Sequence, residues 1–267
     1  MAKSICIIGL DEPQTDLLRA RISGPLVVHE TLPRIFVRDG ELFVEASSGF
    51  GFLPVSKVVF HGIFEDDHDL IAGLALWGGL CLPNARAMMD CRLKLPCLVR
   101  ALQYTEYADP PRGFASPGVE YSTDVERVAK WGNWHCGENK ETFAREWQSS
   151  ESAIVEQYLH GDAVRVVVIG QRHWQIKLEG DGWLKSIHHP TACLMQPTPH
   201  LVADTRNVAN RFGLEIAAND YIITADGEPH LLEVNHIPNV TRFSEIWEAY
   251  LEYVVEWLND ASHSDAL

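Results

Sequence analysis

Hydrophobic and polar positions follow two periods along this chain of 267 residues. Short apolar runs such as "KSICIIGL" (3–10) and "KVVFHGIF" (57–64) predict buried strands, whereas "DEPQTDLLRARIS" (11–23) has the spacing of an amphipathic helix. Strand and helix patterns mostly alternate up to about residue 84, and Asp39-Gly40 indicates a hairpin between two of the strands. This order predicts a small three-layer α/β domain over residues 1–84.

The pattern changes after residue 84. Residues 84–108 have helical spacing, with Pro96 at a break or in a first turn. Helical spacing also appears in 140–150, 200–216 and 242–260, among short strand patterns at 126–133, 152–159, 163–170 and 172–179 and a hairpin around Asp226-Gly227. We predict a second, α+β domain over residues 85–267, with subdomains at about 85–155 and 156–258 and a frayed tail at 259–267.

Composition restricts the class of protein. The 22 Lys and Arg residues against 37 Asp and Glu residues give a net charge of −15. Because non-specific nucleic-acid binding requires neutralised phosphates, we expect no nucleic-acid partner. We also expect no membrane span, since no apolar run reaches about 18 residues. The first residues do not form a secretory signal and the six cysteines include no CxxC pair, so we expect reduced thiols and a cytoplasmic location.

The most informative stretch is "HLLEVNHIPNV" (230–240), where Glu233 and Asn235 stand two apart at the end of an apolar strand. Residues i and i+2 of a strand face the same side, so both side chains aim oxygen atoms at one place. Asp220 stands at a similar distance across the Asp226-Gly227 turn, and such residues of a hairpin lie side by side. Three oxygen donors with two negative charges suit Mg²⁺. The spacing alone fits equally well a hairpin with acidic residues at its solvated end.

Two further segments carry chemistry that suits a nucleotide. In "SAIVEQYLHGDAVRVVVIG" (152–170), the main chain of residues 157–159 can pair with an adenine edge, Asp162 can accept from ribose hydroxyls and Arg165 can face phosphate. By itself this segment is better explained as a surface hairpin. In "VAKWGNWHCGENK" (128–140), Lys130 ends a strand, and the glycines of the following loop let backbone N–H groups approach phosphate oxygens. The chain contains neither a Walker loop nor GxGxxG.

In this order, the three segments resemble the ATP-grasp carboxylate–amine ligases, and most of all the group of the ribosomal-protein glutamate ligases, glutathione synthetase and D-alanine–D-alanine ligase. The resemblance covers residues 84–258 and, more loosely, the N-terminal region. It implies an ATP-grasp fold, of mixed α/β and α+β class, behind a small N-terminal α/β domain. It also implies that a substrate carboxylate is phosphorylated by ATP and that an amine attacks the resulting acyl phosphate.

The resemblance further implies a role for particular residues. Asp220, Glu233 and Asn235 would hold Mg²⁺, with Mn²⁺ as an alternative, and Arg165 and Lys177 would act in catalysis. The ATP-binding residues would be Lys130, Gly137, Glu156, Gln157, Tyr158, Leu159, Asp162 and Lys177. The partners would be a small-molecule carboxylate with an amine or a peptide, and homo-oligomers occur in the family. An ATP-grasp kinase and a non-catalytic nucleotide-binding protein are the alternatives.

Three other residues are candidates for substrate contact. For His188, a solvated loop position is the better interpretation. His236 faces either the site or solvent, and the two are equally well supported. Arg242 equally well binds a substrate carboxylate or forms a salt bridge at the start of a helix. The chain also departs from the family pattern. Where relatives carry an aspartate–lysine pair, "MMDCRLKLP" offers either Arg92 or Lys94. Where they carry small residues in the glycine loop, this chain has Trp131, Trp134 and His135.

Overall fold

The computed structural model describes residues 3–132 and 139–260, and its first sheet is built from the N-terminal residues. Its strands are β1 (Ser4–Ile8), β2 (Leu26–His29), β3 (Ile35–Arg38), β4 (Glu41–Glu45), β5 (Phe52–Phe60) and β6 (Leu80–Leu82), and its helices are α1 (Glu12–Arg19) and α2 (Asp67–Trp77). The strand order is β2-β1-β5-β4-β3, with β6 beside β5. Strands β1, β2, β5 and β6 pair in parallel, and β3 and β4 form an antiparallel hairpin. The α/β expectation is confirmed.

Two short helices and two small sheets follow. They comprise α3 (Ala85–Cys91), α4 (Lys94–Ala101), β7 (Gly113–Ala115), β8 (Tyr121–Ser122), β9 (Arg127–Trp131), β10 (Lys140–Phe143), β11 (Glu146–Trp147) and β12 (Ala153–Gln157). Strands β10-β9-β12-β7 form one sheet, and β11-β8 form the other. Pro96 lies in the first turn of α4, as one of the two alternatives predicted.

The helix predicted over residues 140–150 is wrong, because that segment forms β10 and β11. Phe143 and Trp147 stand four residues apart, which imitates one face of a helix. In the structure, their rings stack on each other with centroids 5.9 Å apart, and Phe143 also meets Tyr121 edge-on. Pairing of β10 with β9 determines the strand conformation.

The last sheet follows the order β15-β14-β13-β16-β17 and is antiparallel throughout. Its strands are β13 (Gly161–Ile169), β14 (Arg172–Lys177), β15 (Cys193–Met195), β16 (Ile216–Thr224) and β17 (Pro229–Asn235), with α5 (Pro199–Phe212) and α6 (Ser244–Asn259). Helix α5 packs on one face through Val164, Val166 and Val168 of β13. The opposite face carries Ala163 and Val167, which pack with α6.

Helix α6 joins the first and last sheets in one core. Ile7 and Val59 of the first sheet, Val167 of the last sheet and Val254 of α6 belong to the same cluster of buried side chains. Lys57 of β5 also donates from Nζ to the carbonyl oxygen of Leu258, at 2.8 Å, near the end of α6. The sheet of β9 and β12 has its own small core, which contains Ala115, Ala129, Trp147 and Ala153.

No helix in the described part of the chain is long and apolar enough to cross a membrane.

Candidate active site

A cavity of about 360 Å³, termed the inter-sheet cavity, lies between β9 and β12 on one side and the last sheet on the other. Val128, Ala163, Leu178, Ile222 and Leu232 supply apolar surface to its walls. Charged side chains lie among them. Apolar walls with a few placed polar groups are typical of sites for small molecules and cofactors.

The end of β12 forms one rim of the inter-sheet cavity. Glu156, Gln157, Tyr158 and Leu159 all line it. The backbone N–H of Tyr158 donates to the carbonyl oxygen of Glu126 at 3.1 Å, so this group is not available to a nucleotide base. The side chains of the other three residues border the cavity where the chain crosses from one sheet to the other.

Lys130 is held in the cavity wall by two oxygen atoms from different strands. Its Nζ lies 2.5 Å from Oε2 of Glu156 and donates to the carbonyl oxygen of Leu232 at 3.3 Å. Glu156 is buried, and Arg112 approaches its other oxygen at 3.6 Å. A buried carboxylate between two cations therefore fixes the ammonium group of Lys130 beside Glu233, the next residue of β17.

Four lysines line the inter-sheet cavity, namely Lys94, Lys130, Lys140 and Lys185. The sequence assigned Lys130 to ATP and offered Lys94 as an alternative to Arg92, but it did not point to Lys140 or Lys185. Burial lowers the pKa of Lys140, and the positive charge of Lys130 lowers it further, against the opposing effect of Glu233. Such a cluster of cations within a chain of net charge −15 suits a polyanionic ligand.

Arg92 and Lys94, the two alternatives that the sequence offered, lie in different surroundings. Arg92 is buried and its guanidinium pairs with the carboxylate of Asp67 and donates to the carbonyl oxygen of Phe64 at 2.7 Å. It therefore holds α2 against the start of α4. Lys94, at the first turn of α4, lines the cavity instead. No sequence signal distinguishes them, because the distinction depends on how the two helices pack.

The two predicted carboxylates lie side by side. Asp220 of β16 pairs in register with Glu233 of β17, and an irregularity in the ladder follows directly after Asp220. The expected juxtaposition across the hairpin is thus confirmed. Both residues line the inter-sheet cavity and also an adjoining cavity of about 490 Å³, termed the domain cavity, which Asn235 lines as well.

Arg165 binds Asp220 through two hydrogen bonds, from Nε at 2.6 Å and from Nη2 at 2.8 Å. Burial alone would lower the pKa of Arg165, but the charges of Asp220 and Glu233 raise it. Arg165 also lines the domain cavity. A guanidinium fixed in this way presents a permanent positive charge beside the two carboxylates.

The donor set at this position fits a Mg²⁺ ion. Nδ2 of Asn235 is buried and has no hydrogen-bond partner among the described residues, in keeping with an amide that turns its oxygen to a cation. Among the described residues, no group of three or more His, Cys, Asp and Glu side chains is placed to hold a metal ion. The set predicted here has two carboxylates and one amide, and Mg²⁺ commonly takes one or two carboxylates together with phosphate oxygens.

The N-terminal domain forms the far wall of the domain cavity. Gly9 follows β1, His61 follows β5, and both line the cavity. Nδ1 of His61 lies 3.1 Å from the hydroxyl of Tyr250 on α6, and Trp247 meets the ring at its edge. Burial lowers the pKa of His61 to about 4, so the ring is neutral at pH 7. Sequence reasoning did not find His61, which looks like one histidine among 12.

Of the three candidates for substrate contact, only His188 lines the domain cavity. Arg242 is engaged by the main chain, because its guanidinium donates to the carbonyl oxygens of Ile187, His189 and, at 2.9 Å, Pro190. It therefore holds the loop that carries His188. His236 is 1% exposed and lies at a separate small cavity.

No protein-family model matches the sequence, and no curated protein sequence is similar enough to count as a match. Solved structures do match. D-alanyl-alanine synthetase A from Vibrio cholerae superposes with a TM-score of 0.68 at 13% identity and covers 96% of this chain and 97% of its own.

Two peptide-modifying enzymes are similar over almost their whole length. The ATP-grasp ligase PsnB, complexed with a phosphomimetic variant of its minimal precursor, Mg and ADP, has a TM-score of 0.62 at 16% identity over 96% of this chain and 99% of its own. The macrocyclase MdnC from Microcystis aeruginosa, bound with precursor peptide MdnA, has a TM-score of 0.61 at 13% identity over 97% and 100%. The chain has the ATP-grasp fold. The expectation of the sequence resemblance is thereby confirmed for the fold.

Within this ATP-grasp fold, two predicted nucleotide contacts lie away from both cavities. Side chains alternate between the faces of a strand, and Gly161, Ala163 and Arg165 of β13 line the cavities. Asp162 therefore points to the opposite face. Lys177 pairs in register with Val164 and shares that face, and its Nζ lies 3.5 Å from Asp162. The structure does not bring this pair to the inter-sheet cavity.

The glycine loop of the ATP-grasp resemblance falls largely beyond the described part of the chain. Gly137, Trp134 and His135 are outside the described residues. Trp131 is described, and its ring packs against Trp147 with centroids 5.8 Å apart. This bulky residue thus belongs to the small core of the β9–β12 sheet.

Proposed function

We propose that the protein is an ATP- and Mg²⁺-dependent ligase that joins a carboxylate to an amine or a peptide through an acyl phosphate. One observation carries the proposal: the acidic pair Asp220 and Glu233 lies at the junction of two cavities. The inter-sheet cavity carries the lysines and the apolar walls that a nucleotide needs. The domain cavity opens from the same carboxylates toward the N-terminal domain.

Phosphoryl transfer requires positioning and neutralised charge rather than a protein nucleophile. In the proposed site, Lys94, Lys130 and Lys140 bind the phosphates, and the end of β12 borders the base. Asp220, Glu233 and Asn235 would hold Mg²⁺, which would neutralise charge on the phosphate oxygens when bound. Arg165 would then face the phosphoryl group that passes between the cavities and stabilise its developing negative charge.

The domain cavity suits the two substrates other than ATP, namely the carboxylate and the amine or peptide. Its volume of about 490 Å³ exceeds the 360 Å³ of the inter-sheet cavity, and its walls come from both domains. A closed wall would keep water from the acyl phosphate, which hydrolyses readily. PsnB and MdnC, the two ligases compared above, are complexed with a precursor and with a precursor peptide, which supports a peptide as one of the substrate classes.

We also propose the domain division 1–84 and 85–267, with subdomains at about 85–155 and 156–258. The six strands of the first sheet fall within residues 4–82, which supports the boundary. A cytoplasmic location and a homo-oligomeric state stay predictions.

Nucleotide binding is the first test. Thermal unfolding is measured with a non-hydrolysable ATP analogue, with Mg²⁺ and with EDTA, for the native protein and for Glu233→Ala. We expect Mg²⁺-dependent stabilisation of about 2.7 kcal/mol at a hundred times the dissociation constant, and little stabilisation of the variant. Equal shifts for both proteins would contradict the metal assignment.

Catalysis is tested by phosphate release with panels of carboxylates and amines. The proposal expects phosphate release that needs both substrates and an amide product detected by mass spectrometry. A stable phosphorylated product that accumulates without any amine would instead identify a kinase.

A further inference from the structure

An aromatic face lies on the N-terminal domain, outside both cavities. It consists of Arg34, Phe36 and Arg38 from the region of β3, Phe43 of β4 and Phe52 of β5. Phe36 stacks on Phe43 with centroids 4.7 Å apart and meets Phe52 edge-on at 5.0 Å. Phe36 is 37% exposed and Phe52 is 40% exposed, so the rings form a continuous apolar surface that faces solvent. Contiguous exposed apolar surface commonly marks an interaction site.

The opposite face of the same three strands is buried. Ile35 packs beneath α2, where a side-chain carbon placed on Gly73 would meet it at 2.9 Å. Ile35 and Val37 both pack against the buried cluster of the N-terminal domain. The aromatic residues are therefore not the inner side of this sheet, and the fold gives them no described covering element.

Strand β3 also ends the sheet, because it pairs only with β4 among the described strands. Phe36 lies opposite Phe43, and the carbonyl oxygen of Arg34 accepts from the N–H of Glu45 at 2.9 Å. In an antiparallel ladder, alternate residues bond inward, so Ile35 and Val37 turn their N–H and C=O groups to the free edge. An incoming strand would find these backbone groups ready to pair.

The charges on the aromatic face select the partner. Arg38 lies 5.8 Å from the Phe36 ring and 5.5 Å from the Phe43 ring. Glu41 stands opposite it on β4 but forms its ion pair with Lys3, and no described carboxylate forms an ion pair with Arg38. Arg34 pairs with Glu45 and lies 5.9 Å from the Phe52 ring. Two arginines therefore flank an exposed phenylalanine on the edge of a chain whose net charge is −15.

A second copy of this chain fits the edge poorly. Antiparallel pairing of two β3 strands about Phe36 would place Arg34 of each copy opposite Arg38 of the other. Like charges directly opposite each other destabilise a strand pair. An extended segment with acidic residues at the same positions would instead form favourable pairs.

We propose that the β3 edge and its aromatic face bind an extended peptide segment in which acidic residues flank an apolar one at alternate positions. The segment adds a strand beside β3. Its backbone pairs with Ile35 and Val37, its apolar side chain packs on Phe36, and its carboxylates lie beside Arg34 and Arg38. This site is separate from the cavities of the proposed ligase and needs no nucleotide.

The test uses fluorescein-labelled peptides and the full chain without nucleotide. The probe is Thr-Glu-Val-Phe-Val-Glu-Thr, whose alternation is the same in both directions, and its control is Thr-Lys-Val-Phe-Val-Lys-Thr. Fluorescence anisotropy is measured for the native protein, for Arg38→Glu and Val37→Pro, and for the control Leu76→Ser, which changes an 81% exposed side chain on α2. Proline is tolerated on an edge where its missing N–H faces solvent, so Val37→Pro removes pairing and keeps the strand.

We expect the glutamate peptide to bind the native protein and Leu76→Ser, to lose at least about tenfold in affinity for Arg38→Glu and to lose binding to Val37→Pro. The lysine peptide should bind Arg38→Glu better than the native protein, a rescue that does not depend on Val37→Pro folding normally. The proposal would be overturned if the native protein and Arg38→Glu bound both peptides equally well, or if the native protein bound neither peptide. A concentration-dependent dimer in sedimentation that Val37→Pro dissolves would overturn it in favour of a second copy.

Discussion

Two hairpins of this molecule share a local sequence signal but differ in how the rest of the chain packs against them. Asp39-Gly40 turns β3 into β4, and Asp226-Gly227 turns β16 into β17. Each hairpin has a carboxylate that accepts two hydrogen bonds from an arginine: Glu45 of β4 from Arg34, just before β3, and Asp220 of β16 from Arg165 of the neighbouring strand β13. The first pair lies in solvent, with Arg34 71% exposed, and the second lies within the protein, with Arg165 13% exposed.

The difference arises at the outer strand of each hairpin. Along β17, the carbonyl oxygens of Leu231 and Leu232 accept from Arg112 and Lys130, which brings two cations next to Glu233. Along β3, no described group occupies the edge. The same Asp-Gly signal therefore accompanies a candidate catalytic centre where other parts of the chain pack against the hairpin, and an open edge where no described strand does.

The largest expected difference between the hairpins is in stability. Arg165→Met leaves the buried carboxylate of Asp220 without its partner and should lower the free energy of unfolding by about 3–5 kcal/mol. Arg34→Met removes an exposed pair and should change it little, because water replaces the partner. Urea denaturation of both variants measures the contrast. Equal losses would show that burial does not separate the two pairs.

Within the β16–β17 hairpin, enzymatic activity should depend on the residue at the cavities and not on the residue near the turn. Glu233→Gln removes a charge at the junction of the cavities and should reduce phosphate release about 10²–10³-fold, the usual cost of one electrostatic contact to a transition state. Glu228→Gln changes an exposed residue of the same hairpin and serves as the matched control. Steady-state assays should find this control unchanged. A fully active Glu233→Gln would remove the site from this hairpin.

The pH dependence of nucleotide binding tests the lysines that face the packed hairpin. The pKa of Lys140 is lowered by burial and by Lys130. Bound phosphates would raise that pKa again, so binding takes up a proton between the two values. Affinity should be constant below the pKa of the free protein and fall up to about tenfold per pH unit above it. Calorimetry in buffers with different ionisation heats measures the uptake, and Lys140→Met should abolish it.

The smallest effect is expected at the turns, where the two hairpins should behave alike. Gly40 and Gly227 have positive φ values of 76° and 88°, and a side-chain carbon at either position would meet nothing within 4 Å. Gly40→Ala and Gly227→Ala should each cost about 1 kcal/mol from backbone strain alone. Thermal unfolding of the two variants checks this. A clearly larger loss at one turn would mean that its surroundings also contribute.

Much of the fold was predictable because turns and periodicity are local. The Asp220–Glu233 juxtaposition followed from counting residues on either side of a turn, and the structure has that pairing. Residues 140–150 were misassigned because aromatic residues four apart satisfy a helix and, equally, a packed pair of strands. Only the long-range pairing of β10 with β9 decides between them.

The candidate site was less predictable because its residues are brought together by tertiary packing. Asp162 and Arg165 are close in sequence, yet the alternation of β13 places them on opposite faces, and only Arg165 lines a cavity. The ribose contact of Asp162 stays a prediction. Lys94 lies in α4, Lys140 in β10 and Lys185 between β14 and β15, and they meet only through tertiary packing. Lys94 was a candidate as the alternative to Arg92, but nothing in the local sequence marks Lys140 or Lys185.

The shared core beneath α6 has a consequence for how the molecule moves. The first sheet, the last sheet and α6 are joined by one set of buried side chains, whereas the β9–β12 sheet has only its own small core. The first and last sheets therefore share a core in which the β9–β12 sheet has no part. We expect that sheet, which Lys130 and Arg112 tie to β17, to turn relative to the shared core and so to widen or narrow the inter-sheet cavity.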